Sequence, residues 1–217
     1  WGRRGQRTIE PSRLVFIDET GVRTDMTRLR GRAPIGERLP GAVPCARWST
    51  SARVAALDAR GVRCSMAMEG AMNAGAFELF VEQVLVPTLV LGQVVVLDNL
   101  ASHKGRRVKQ LIRQAGCRLV FLPDAGLALH LPYGYDLNPI ELAFSKLKQL
   151  VRGAAARTVE TLWQAGGRVA NAITPTDAAG YFTACGCPLN ATHESAPLKS
   201  LLGQLVRRPG RRRGRDR

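Results

Sequence analysis

The sequence predicts an α/β fold, a mixed five-stranded sheet flanked by helices, and three observations lead there. Residues 94–97, VVVL, are four consecutive apolar residues, three of them β-branched, which reads as a short strand buried on both faces. After a small polar loop, Val108, Leu111, Ile112 and Ala115 recur at helical spacing until Gly116, and the next apolar run, 119–122, closes a strand, helix, strand unit. Such crossovers lay parallel strands side by side. Upstream, 14–17 (LVFI) and the weaker runs 53–58 and 63–68 supply three more strands, the last two joined at Arg60-Gly61 as an antiparallel hairpin.

Taken in order, residues 1–12 read as a polar linker remnant. The chain opens on Trp1, not Met, so a fragment, or a start lying elsewhere, is expected. The first strand delivers Asp18 and then Glu19. Residues 20–51 are rich in Gly, Pro and Arg, with Arg28 and Arg32 among the scattered cations. A loop of that length is more often functional than not; here it is either a backbone-gripping arm or an ordinary surface excursion. From Asn73 an amphipathic helix carries Phe77, Phe80, Val81, Val84 and Leu85 on one face, with Pro87 near its end. The central strand then ends at Asp98, where open α/β sheets keep their sites, although a polar residue that merely ends a strand satisfies the same pattern.

Farther on, Asn138, Pro139 and Glu141 spell a helix start: cap, first turn, third position. Glu141 is open to two readings. A capping box supplies a Glu there without any chemistry, yet the helix also sets Glu141, Ser145, Lys148 and Arg152 on one face, opposite Ile140, Phe144, Leu147 and Val151. A further helix spans 159–173, weakened by Gly166-Gly167. From Cys185 periodicity is lost and little packed structure is expected.

Charge narrows the partner. Lys and Arg number 32 against 17 acids, a net +15, which favours a polyanion, most commonly nucleic acid. The last eleven residues, RRPGRRRGRDR, carry +6 of it and read as a solvated, disordered end. The five cysteines form no framework, which suits a reducing compartment, and Cys185, Cys187 and His193 match no standard zinc spacing. The most apolar window, 84–97, is too short for a membrane span. The opening residues lack the apolar stretch of a signal peptide, so a cytoplasmic location is expected.

Asp18, Asp98 and Glu141 together give two strand-end carboxylates and one at a helix start. Phosphodiester cleavage needs cations that activate a nucleophile and neutralise the phosphate. Hard ions, Mg²⁺ above all and Mn²⁺ as an alternative, prefer such oxygen ligands; the His- or Cys-rich spacing of zinc sites is missing.

The three blocks FIDET around Asp18, DNLASHK after Asp98 and YDLNPIE ending at Glu141 resemble the signatures of DDE transposases, specifically the bacterial insertion-sequence relatives of mariner elements. The resemblance runs over about 14–182. It implies a ribonuclease-H-like core at 13–184, between the linker 1–12 and a basic tail at 185–217. It further implies a two-metal mechanism in which water cleaves at the element's ends and the freed 3′ hydroxyl attacks target DNA. The metal ligands carried over are Asp18, Asp98 and Glu141. Asn99, His103, Lys104, Asn138 and Pro139 match motif positions that support the site or contact DNA. Lys104, Lys148, Arg152, Arg28 and Arg32 are the expected DNA contacts, a homodimer on DNA the expected assembly, and the bacterial nucleoid the expected location. An inactive remnant that binds nucleic acid, and a ribonuclease-H-type nuclease, are the alternatives. Two departures stand out: the connection before Glu141 is longer by about eight residues, 124–131 (DAGLALHL), and Gly134-Tyr135 replaces the usual Ser-Pro. The helix-turn-helix region that such proteins carry upstream is not in this sequence.

Overall fold

The computed structural model describes residues 10–28, 30–41, 43–45, 47–98, 100, 103–122, 138–170, 172–187 and 189. The insertion 124–131, Gly134-Tyr135, Asn99, His193, residues 1–9 and the arginine-rich tail lie outside them. Five strands form one sheet: β1 (Leu14–Arg23), β2 (Thr50–Asp58), β3 (Gly61–Glu69), β4 (Val94–Leu97) and β5 (Arg118–Phe121). Their spatial order is β3-β2-β1-β4-β5. The first three pair antiparallel; β1, β4 and β5 run parallel, as the crossover through α2 (Arg106–Gln114) requires. The expected mixed five-stranded sheet is therefore present.

Strand alternation decides what each face holds. Val15 and Ile17 of β1 point into a core with Phe77, Phe80, Val95, Leu97, Val108 and Ile112, beneath α2 and α1 (Ala74–Phe80). Leu14 and Phe16 point the other way, into a core with Val94, Val96, Ile140, Phe144 and Phe182. That second layer is built by α3 (Pro139–Ala154) and α5 (Pro175–Ala184), and Phe16 meets Phe182 edge to face at 5.5 Å. The α1 helix continues past Phe80 as a π turn, Val81–Leu85, and a 3₁₀ turn, Val86–Thr88, where Pro87 ends regular bonding.

Four expectations need correcting. β1 does not stop at Ile17 but continues to Arg23, because its antiparallel partner β2 extends from Leu57 to Thr50 while the parallel partner β4 ends at Leu97. The helix expected over 159–173 is α4 (Val159–Ala170). Its Gly166 has a packing reason: a Cβ there would lie 2.5 Å from the guanidinium of buried Arg53. α5, outside the elements expected from the sequence, starts on a capping box between Thr174 and Asp177. Packing also reaches past Cys185, since Cys187 is buried in the second core with Leu189 against it.

Residues 24–49 leave the sheet as a long excursion with a closed neck. The Thr24 amide donates to the Ser49 carbonyl at 3.1 Å and the Ser49 amide to the Thr24 hydroxyl at 3.0 Å. Arg157, just after α3, donates to the carbonyls of Thr24 and Met26, tying the base of the excursion to the helical layer.

The hairpin glycine is where one substitution should be costly. Gly61 has φ +120°, and a Cβ there would sit 2.6 Å from the Ile173 carbonyl oxygen. Gly61→Ala therefore combines backbone strain with a clash against main chain, together about 3 kcal/mol. Urea denaturation of the two proteins measures it; equal midpoints would mean that the hairpin shifts freely.

Candidate active site

Asp18 and Asp98 arrive at the same level because β1 and β4 are parallel and in register, Ile17 opposite Leu97. Each is the next residue on its chain. By alternation both fall on the face that carries α3. Asp98 follows the last residue of β4, as expected, whereas Asp18 lies mid-strand, at the point where β1 loses its parallel neighbour.

The start of α3 is tied to this pair. Asn138 is its N-cap residue by position but makes no side-chain cap bond. Its amide Nδ2 instead donates to Asp18 Oδ2 at 3.2 Å. The capping-box reading thus fails on the Asn side: the residue that should close the helix end reaches across to the acid. Its other atom, Oδ1, is buried without a hydrogen-bond partner. Glu141, exposed one turn into α3, is close enough that its charge, with that of Asp98, acts on Asp18. Burial raises the Asp18 pKa, the Glu19 amide bonded to Oδ1 at 2.7 Å opposes this, and repulsion from Asp98 and Glu141 adds to it, so the carboxyl is pushed up to about 6.

His103 completes the other side. Fully buried and stacked on Phe77 at 4.1 Å, it bonds through Nδ1 to Asp98 Oδ1 and through Nε2 to Glu19 Oε1 at 2.9 Å. Burial alone would lower its pKa, but the two carboxylates override this and raise it to about 9, so the imidazole is a cation between two anions. As the side chains stand, no three His, Cys, Asp or Glu residues converge as a metal-holding cluster among the described residues. One reason is visible: an oxygen of Asp98 is engaged by His103.

Sequence reasoning assigned Glu19 no role in the site. The signal existed: consecutive acids on a strand face opposite ways, so Glu19 had to enter the α1/α2 layer, where the His of the DNLASHK block also lies.

The expected DNA contacts fall in two groups. Lys148 and Arg152 line the outer face of α3 with Glu141 and Ser145, while Ile140, Phe144, Leu147 and Val151 are buried beneath. Arg28 reaches this helix from the excursion: a Cβ on Gly153 would lie 3.6 Å from its guanidinium. Arg32 and Lys104 are exposed elsewhere, on the excursion and just after His103.

A family model described as DDE superfamily endonuclease matches residues 13–163, which include all three carboxylates. The chain belongs to that family. Among solved structures it is similar to the Mos1 mariner transposase in a paired end complex with Mn, at 16% identity and a TM-score of 0.57 over 80% of this chain and 52% of that one. The Mos1 strand transfer complex gives 16% and 0.52, over 81% and 52%. The Mos1 catalytic domain with Raltegravir and Mg gives 15% and 0.52, over 80% and 78%. These likenesses establish the ribonuclease-H-like fold; the chain spans about half of the transposase chains in the two complexes and most of the catalytic domain. Comparison with curated proteins found no match.

Proposed function

We propose that this chain is the catalytic domain of a transposase, cleaving DNA strands at transposon ends with Mg²⁺ or Mn²⁺ and transferring them to target DNA. The observation that carries the reading is the bond from Asn138 to Asp18, which joins the helix bearing Glu141 to the level of the two strand-borne acids. Asp18, on which the charges of Asp98 and Glu141 act, and a buried amide oxygen of Asn138 without a protein partner make a set of oxygen donors of the kind hard divalent cations take. Asp18, Asp98 and Glu141 would hold the ions. When bound, such ions supply Lewis-acid activation and neutralise the charge of the phosphate.

The chain's own residues do the rest. Asn138 orients Asp18, His103 fixes the rotamer of Asp98, and Glu19 holds His103 from behind. Lys148, Arg152 and Arg28 offer positive charge along the face that Glu141 leads, so a phosphate backbone laid on α3 would pass the acids, and exposed Arg32 and Lys104 would add contacts elsewhere. Assembly as a homodimer on DNA and work at the bacterial nucleoid belong to the same reading; no helix among the described residues is long and apolar enough to cross a membrane.

A second reading, nucleic-acid binding without cleavage, draws on the engagement of Asp98 by His103. Supercoiled DNA incubated with Mg²⁺, Mn²⁺ or chelator separates the two. The transposase reading expects nicked circles with either metal, none with chelator, and none from Asp98→Asn, whose DNA affinity should stay near wild type. Nicking that survives chelation, or that Asp98→Asn retains, would sink it; binding without nicking in every metal would favour the second reading.

A further inference from the structure

We propose that the groove between α2 and the outer edge of β5 is a second DNA track, gripping the phosphodiester backbone of a duplex segment away from the three carboxylates. The proposal rests on the reading of the chain as a DNA-acting enzyme. The groove is a strongly basic hollow. A cavity of about 870 Å³ is lined by Arg13, Gln93, Lys109, Arg113 and Arg118 with no acidic side chain, and a neighbouring hollow of about 530 Å³ on the same helix adds Arg106.

The helix sorts its charges by face. In RRVKQLIRQ, Val108 and Ile112 are buried against the sheet. Arg107 turns to Glu82 and pairs with it at 2.6 Å. Arg106, Lys109 and Arg113, at offsets 0, 3 and 7, share an outward face, and among the described residues none of them forms an ion pair. Two features extend the row beyond the helix. Arg118 opens β5, an edge strand of the sheet. Arg13 lies over the turn before β4, where Gly92 (φ +81°) leaves it room: a Cβ there would lie 2.1 Å from its guanidinium.

Place and shape select the ligand. The strand starts Val94 and Arg118 line the cavity, whereas Asp98 follows the far end of β4, so the track begins near the site at Arg106 and runs away from it. A nine-residue helix is about 13 Å long, roughly four base pairs of duplex rise. Arg13, Arg106, Arg113 and Arg118 are all exposed and strung along this length, not gathered around a point. A small anion would need convergent, buried donors; a strung row of exposed cations suits a polymer of phosphates. The bland alternative is a charged strand edge that only prevents self-pairing, which predicts no localised contribution to DNA binding.

The test uses the full chain carrying Asp98→Asn, in chelator, so that binding is read without cleavage. Affinity for a short duplex is measured against salt for two matched double variants: Arg113→Gln with Arg118→Gln in the groove, and Arg38→Gln with Arg168→Gln, both exposed and outside it. Each lost phosphate contact reduces the slope of log K against log salt by about 0.9. The groove pair should therefore lose a slope of about 2 and roughly 30-fold in affinity at 0.15 M salt, taking the affinity at 1 M as unchanged; the control pair should lose little. Equal losses from both pairs, or no loss from the groove pair, overturn the proposal. A wild-type chain that binds the duplex through the groove but nicks nothing with Mg²⁺ or Mn²⁺ would count against the catalytic reading while leaving the binding result to judge the groove.

Discussion

Asp18→Asn should make the metal-free protein more stable at pH 7.5, by on the order of 2–3 kcal/mol, while abolishing strand cleavage. Burial and the charges of Asp98 and Glu141 push the Asp18 carboxyl up to about 6 from its ordinary 3.8. A raised folded-state value means that the group's contribution to stability is fully present below pH 3.8 and is lost as pH rises through 6. At pH 7.5 the carboxylate is thus ionised at a folding cost, and each pKa unit corresponds to about 1.4 kcal/mol. Asparagine keeps the shape, its Oδ1 can still accept from the Glu19 amide, and its Nδ2 can donate to Asn138 once that amide turns over, but it carries no charge. Urea denaturation in chelator should show the variant ahead at pH 7.5 and the gap closing toward pH 4. Addition of Mn²⁺ should then stabilise the wild type and leave Asp18→Asn nearly unmoved, since ligand binding to the native state is what shifts its stability. A variant that is no more stable in chelator would mean that the ionised Asp18 carboxylate carries no folding cost, neither from burial nor from its neighbours' charges.

What the sequence made legible, and what it hid, follows from the range of the interactions. Short apolar runs such as 94–97 declare a strand because local composition alone decides it, and the helix pattern after it announces the parallel neighbour. The sheet order and the level shared by Asp18 and Asp98 follow from that topology. The full length of β1 was hidden, because residues 18–23 (DETGVR) are polar and are strand only through pairing with β2, a contact some thirty residues away in sequence. The fate of Asn138 was hidden for the same reason. Cap grammar is local, whereas its bond to Asp18 spans 120 residues. Gly166-Gly167 weakened a helix on paper; the room that Gly166 leaves for Arg53 depends on a strand more than one hundred residues earlier.

The His103 bridge should dominate stability in the alkaline range. Its two carboxylate partners raise the imidazole pKa to about 9 from 6.5, so its contribution is complete below 6.5 and is lost as pH rises through 9. The direction matches that of Asp18, so metal-free stability should fall in two steps, one between about 4 and 6 and a second between about 6.5 and 9, the second worth on the order of 3 kcal/mol. His103→Gln keeps hydrogen-bonding capacity but cannot hold a positive charge between Asp98 and Glu19. It should therefore lose stability at pH 6 by about the same amount and show only the acidic step. His103→Ala adds an empty space beside Phe77 and leaves two partly buried carboxylates without their shared cation, so it should be worse still. Denaturation midpoints of the three proteins from pH 5 to 9.5 decide the matter. If His103→Gln keeps the alkaline step of the wild type, the titrating group is another one, and the imidazole is held by packing on Phe77 and not by its charge.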